Sequence, residues 1–143
     1  MIHYRNFTTE CMDRVRQIYA ANGWTDYLRD PEKLVRAFEN SLFILGAFEE
    51  GRLLGFARCV GDGEHILYIQ DLILDPDYRR RGIGGELMRR VSDTYSDVRQ
   101  FLLITDREDP DSNAFYRTIG LSNKYMGYPM NVYFRSESEK PQE

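Results

Sequence analysis

The sequence predicts an α/β fold: one mixed, mostly antiparallel sheet with helices on both faces. Three observations carry that reading. The elements run in the order β-α-α-β-β-β-α-β-α-β. The early strands are joined by tight turns, as antiparallel hairpins are. One later strand–helix–strand unit requires a crossover, which makes its two strands parallel. Residues 1–135 read as a single domain, and the polar residues 136–143 as a fraying tail.

Residues 2–6 form a short first strand. Thr8 or Thr9 caps a helix whose apolar positions Met12, Val15, Ile18 and Tyr19 share one face, and Gly23 ends it. Asp30-Pro31-Glu32 opens a second helix, with a capping side chain before a proline in the first turn. The apolar runs 42–48 and 53–60 flank Glu49-Glu50-Gly51-Arg52, a hairpin signal. After the turn Gly61-Asp62-Gly63, residues 66–74 are nearly all apolar, as a strand buried on both faces would be. Gln70-Asp71 interrupts that run and marks a bulge or an opening. A helix over 84–95, a strand over 101–105, a helix over 112–119 and a last strand over 130–134 complete the order.

The 143 residues carry a net charge of −4, which disfavours non-specific nucleic-acid binding, and no apolar run approaches the roughly 18 residues that span a bilayer. The N-terminus enters folded-looking sequence without a signal-like apolar region, so a cytoplasmic location is expected. Cys11 and Cys59 are too few and too far apart for a disulfide framework, and no cluster of metal-ligand type is present.

The most informative segment is Asp75-Pro76-Asp77-Tyr78-Arg79-Arg80-Arg81-Gly82-Ile83-Gly84-Gly85-Glu86-Leu87, between a buried strand and an amphipathic helix. A helix start presents unpaired N–H groups and positive potential. Glycines let the backbone approach an anion, and arginines add forked donors. Such a cradle suits a pyrophosphate. The Walker pattern is absent because no Gly-Lys-Ser/Thr follows, and the dinucleotide fingerprint requires glycine where Leu87 stands.

Arg79-Arg80-Arg81-Gly82-Ile83-Gly84 is similar to the Q/R-x-x-G-x-G/A signature of GNAT acetyltransferases. Asn113-Ala114-Phe115-Tyr116-Arg117-Thr118-Ile119-Gly120-Leu121 resembles the second motif of that family, with Leu121 in place of the commoner Phe. Phe56-Ala57-Arg58-Cys59-Val60-Gly61-Asp62-Gly63 resembles bacterial and plant members that acetylate small amines, including arylalkylamines. The resemblance implies a central strand that splays from its parallel neighbour and acetyl-CoA as co-substrate. Its pyrophosphate would lie on the backbone of Arg79, Arg80, Arg81, Gly82, Ile83, Gly84 and Gly85. The main-chain N–H groups of Leu72, Ile73 and Leu74 would meet the acyl oxygen, and Asn113 and Tyr116 would face the pantetheine arm and sulfur. Tyr116 is then the group that protonates or hydrogen-bonds the departing sulfur, while Asn113 is either part of that face or a helix cap.

Amine attack needs a proton acceptor. Asp71 fills that role, orients the ammonium, or only satisfies backbone groups at a bulge; Tyr68 and His65 lie on or beside the same strand. Trp24 and Tyr27, with Leu28, either wall an acceptor pocket or pack the first two helices together. Asp106, Glu108, Asp109 and Asp111 form either an acidic rim that attracts a cationic amine or a solvated loop. Residues 126–130 contribute to that pocket or to a homodimer contact. The expected partner is a small-molecule amine. The alternatives are a protein or peptide acceptor and a non-catalytic acyl-CoA sensor.

Overall fold

A computed structural model describes residues 1–122 together with Asn131, Tyr133 and Arg135. The strand expected over 130–134, the segment 126–130 and the tail 136–143 lie wholly or largely outside the described residues. Contacts divide the chain into two units, Met1–Thr105 and Asp106–Glu143.

The first unit holds β1 (Ile2–Asn6), α1 (Met12–Ala21), α2 (Pro31–Glu39), β2 (Phe43–Glu49), β3 (Arg52–Gly61), β4 (Ile66–Leu74), α3 (Ile83–Thr94) and β5 (Gln100–Leu103). The sheet order is β1-β2-β3-β4-β5, with antiparallel pairs up to β4 and a parallel β4–β5 pair. The sequence expectation therefore holds for the sheet. The β2–β3 connection is a two-residue turn, Glu50-Gly51, with φ of 50° and 78°. Positive φ at both central residues gives the primed turn that matches strand twist.

Local chemistry explains most boundaries. Asp30 caps α2 by accepting the Lys33 N–H at 3.1 Å, ahead of Pro31. The first helix begins later than its threonines suggest. The Thr8 N–H and hydroxyl are both taken by Glu10, at 2.7 and 3.1 Å, and α1 starts after Cys11 without a side-chain cap. Gly23, at φ 74°, follows the last turn and donates its N–H to the Ala20 carbonyl.

The core of α1 and α2 contains Val15, Ile18, Tyr19, Leu34 and Phe38, packed with Ile44, Phe48, Phe56 and Ile73 of the sheet. The α3 helix packs on β2, β3 and β4, burying Ile83, Leu87, Met88 and Val91. β3 is central, and residues 53–59 are buried along their whole length, as a strand covered on both faces must be. Among the described residues no helix is long and apolar enough to cross a membrane.

The second unit contains α4 (Pro110–Thr118). It starts two residues earlier than expected because Asp109 is its cap, accepting the Ser112 N–H at 3.1 Å and the Ser112 hydroxyl at 2.7 Å.

Candidate active site

β4 carries the feature that makes a site. Its parallel partner β5 pairs only with residues 66–69, while its antiparallel partner β3 stays paired through Leu74. Beyond Ile69, alternate residues of β4 turn their N–H and C=O groups toward a side on which β5 has ended. Leu72, Ile73 and Leu74 lie on this open stretch. Their side chains are not uniformly core: Ile73 is buried, whereas Leu72 and Leu74 are half-buried.

The expected bulge is present. Pairing passes from Arg58↔Asp71 to Cys59↔Ile69, so Gln70 has no partner of its own. One extra residue inverts the alternation of faces. Asp71 and Ile73 therefore share a face with Arg58 and Phe56, their directly opposite residues.

That face holds a buried polar cluster. Asp71 is 2% exposed and Arg58 5% exposed. Arg58 Nε donates to Asp71 Oδ2 at 2.7 Å, the Tyr19 hydroxyl to the same oxygen at 2.8 Å, and the Tyr27 hydroxyl to Oδ1 at 2.7 Å. Gln70 Nε2, at the exposed bulge, donates to the Tyr27 oxygen at 3.1 Å. Arg58 Nη1 reaches the Ser41 hydroxyl at 3.3 Å. Burial and the Asp71 charge push the Tyr27 hydroxyl up to about 12, and the same causes raise Tyr19. For Arg58, burial works against the charged form, but the Asp71 carboxylate outweighs it and raises the pKa. Both tyrosines thus stay protonated and Arg58 charged across neutral pH. The sequence singled out Asp71 as a proton acceptor, an anchor for the ammonium or a partner of backbone groups at a bulge. The geometry gives it side-chain partners, three donors on two oxygens.

Tyr27 is consequently not a free aromatic wall. Its ring stacks on Tyr19 at 4.4 Å and its hydroxyl points to Asp71. Trp24 stacks on Tyr19 at 6.1 Å and keeps an exposed edge, 39% accessible. His65 precedes β4, in the turn where the Asp62 carboxylate accepts the N–H groups of Glu64, His65 and Ile66 at 2.8, 2.8 and 3.0 Å.

The second feature is the cradle. Asp75 opens the turn after β4, paired with Arg14 of α1 and accepting the Asp77 N–H at 2.9 Å. Burial pushes the Asp75 carboxyl up, but the Arg14 and Asp77 hydrogen bonds outweigh it and hold it below the usual carboxylate range. Gly82 precedes α3 at φ 76°, a left-handed conformation that a side chain would strain. The first intrahelical bond there runs from the Glu86 N–H to the Gly82 carbonyl at 3.1 Å, so the N–H groups of Ile83, Gly84 and Gly85 precede the helix ladder. All three arginines are exposed. Arg79 donates to Asn22 at 2.6 Å and Arg81 to Glu49 at 3.3 Å, while Arg80, at φ 63°, has no partner among the described residues.

The chain from residue 9 to residue 121 matches the family model of the "Acetyltransferase (GNAT) family". The chain belongs to the GNAT family. A GNAT protein of known structure, SP0256 from Streptococcus pneumoniae TIGR4, is 30% identical, with 96% of this chain and 100% of that one covered at a TM-score of 0.79. The chloroplastic GCN5-related N-acetyltransferase 1 of Arabidopsis thaliana is 28% identical over 131 residues, covering 90% of this chain and 65% of that protein. An aminoglycoside N-acetyltransferase solved with coenzyme A shares the fold, at 15% identity and a TM-score of 0.73 over 96% of this chain and 95% of that one. The chain spans 59–65% of the length of the first curated relatives it matches.

In the second unit, Asn113 is neither cap nor free. Its amide donates to the carbonyls of Asp106 at 2.8 Å and Asp109 at 2.7 Å, holding the turn before α4. Asp109, read from the sequence as part of either an acidic rim or a solvated loop, caps α4, and its hydrogen bonds from Ser112 lower its pKa. Tyr116 is half-buried, with its ring edge-on to Phe115 at 5.2 Å. Sequence reasoning missed Arg58, Tyr19 and Asn22. A lone arginine within the apolar run 53–60, opposite a lone aspartate in the next strand, was the available signal. Among the described residues no group of three or more His, Cys, Asp or Glu side chains gathers as a metal site.

Proposed function

We propose that the protein moves the acetyl group of acetyl-CoA to the primary amine of a small molecule, by direct attack of the neutral amine on the thioester. The observation that carries this reading is one continuous path along the chain. The open stretch of β4 leads through the 76–78 turn and the arginine run to the uncovered start of α3. The residues fit the co-substrate. The N–H groups of Ile83, Gly84 and Gly85 and the exposed Arg79, Arg80 and Arg81 suit a pyrophosphate. The alternate residues Leu72 and Leu74 turn their main chain toward the open side, where an N–H suits a carbonyl oxygen that gains charge during transfer, whereas Ile73 turns its own toward β3.

Acetyl-CoA supplies an activated acyl group and a thiolate leaving group. Family resemblance supports Tyr116 as the donor to the sulfur, since its position in the second motif matches. The amine is mostly ammonium near pH 7 and must shed a proton. That role is not given to Asp71, because its carboxylate is 2% exposed and enclosed by Arg58, Tyr19 and Tyr27, away from an incoming amine. The exposed edge of Trp24 and the amide of Gln70 are the groups beside the cluster that an acceptor can touch. A small-molecule acceptor is favoured by the aminoglycoside enzyme that shares the fold.

An amine panel with acetyl-CoA, read as free thiol release, tests this reading. Turnover on at least one small amine is expected. A Gly84→Val variant places a branched side chain in the first turn of α3, so it should weaken acetyl-CoA binding strongly and lose the thermal stabilisation that the co-substrate gives. Undiminished stabilisation of that variant would move the phosphates away from the cradle.

A further inference from the structure

We propose that Asn22 is a positioning residue for acyl-CoA: one amide that ties α1 to the end of the open strand and fixes the first arginine of the cradle. The proposal rests on the acetyl-CoA reading above. Asn22 follows the last residue of α1. Its Nδ2 donates to the Ile18 carbonyl at 2.9 Å and to the Leu74 carbonyl at 2.8 Å. Its Oδ1 accepts from Arg79 Nη2 at 2.6 Å. Carbonyls only accept and a guanidinium only donates, so these partners fix which end of the amide faces each. An amide meets all three, where a carboxylate would repel two carbonyls and an aliphatic side chain would satisfy none.

The partners flank the 76–78 turn that joins the two parts of the proposed binding path. Leu74 closes the open stretch of β4, and Arg79 opens the arginine run. Arg79 is exposed, and a free arginine loses rotamer freedom when it binds phosphate. Holding one of its N–H groups on Asn22 fixes the side chain beforehand and leaves other donors for the anion. Arg81 has a longer contact, and Arg80 has none among the described residues, so Arg79 is the best-held of the three. The same amide secures the C-terminal turn of α1, the helix that also reaches the sheet through Arg14 on the Leu53 carbonyl and Tyr19 on Asp71.

A double-mutant cycle on acetyl-CoA affinity tests this, using Asn22→Ala, Arg79→Ala and the pair, by titration calorimetry. Each single variant should bind about 3- to 10-fold more weakly, the range set by freeing one long side chain. The double variant should bind no worse than the weaker single. Asn22→Asp keeps the acceptor for Arg79 and loses both donors, so the unliganded protein should melt lower while acetyl-CoA affinity stays within about 2-fold. If Asn22→Ala fails to fold, Asn22→Ser, too short to reach Arg79, takes its place. Wild-type affinity in Asn22→Ala, or losses that multiply in the double variant, overturns the proposal alone. No binding by the unsubstituted protein overturns the acetyl-CoA reading and this proposal with it.

Discussion

Asp71→Ala should destabilise the fold by about 3–5 kcal/mol, the usual cost of leaving a buried charge without its partner. The reason is Arg58, 5% exposed in the central strand, which would keep its charge and lose its counter-ion. The hydroxyls of Tyr19 and Tyr27 would lose their acceptor in the same step. Against a typical total stability of about 5–15 kcal/mol, that loss is severe. Replacing both charges, as in Arg58→Met with Asp71→Leu, should cost much less than the two single losses combined, because no charge is then stranded. Chemical denaturation of the wild type, Asp71→Ala, Arg58→Met, Asp71→Leu and the double variant measures both effects. A stable Asp71→Ala variant that had lost only turnover would instead return Asp71 to the role of proton acceptor.

The second large effect is on chemistry. Tyr116→Phe keeps the ring against Phe115 and removes only the hydroxyl. If that hydroxyl serves the departing sulfur, its value is greatest in the transition state. Single-turnover rates should fall by about 10²–10⁴-fold, the range for a positioned acid, with acetyl-CoA binding within a few-fold. Burial and the Asp109 charge both raise the Tyr116 pKa, so the hydroxyl carries its proton at neutral pH as a donor must. Wild-type single-turnover rates would remove Tyr116 from the mechanism. Weaker binding at an unchanged chemical rate would make it a contact for the pantetheine arm.

What the sequence disclosed follows from the range of the interactions involved. Asp30-Pro31 marked α2 because the cap and the N–H it accepts are three residues apart, and residues 66–74 marked β4 by an apolar run broken only at Gln70-Asp71. The cradle was legible for the same reason, since glycines, arginines and helix start are contiguous. Asp109-Pro110 carries the same signature as Asp30-Pro31, and its neighbouring acidic residues drew attention to charge instead. Thr8 looked like a cap, but a glutamate two residues on captured its hydroxyl and N–H. The polar cluster was beyond reach in a different way. Tyr19 meets Asp71 across 52 positions and Tyr27 meets it across 44, so neither pairing leaves a local pattern. Asn22 reads as an ordinary helix end until the fold brings Leu74 and Arg79 to it.

The central claim is that acyl-CoA lies along the open stretch of β4 and on the start of α3. Amide hydrogen exchange with and without acetyl-CoA tests it directly, because the groups in question are main-chain N–H. Protection is expected in peptides covering residues 70–74 and 79–87, with little change in β1 or in the Glu50-Gly51 turn. Saturating acetyl-CoA that left both segments exchanging at their unliganded rates would contradict the account.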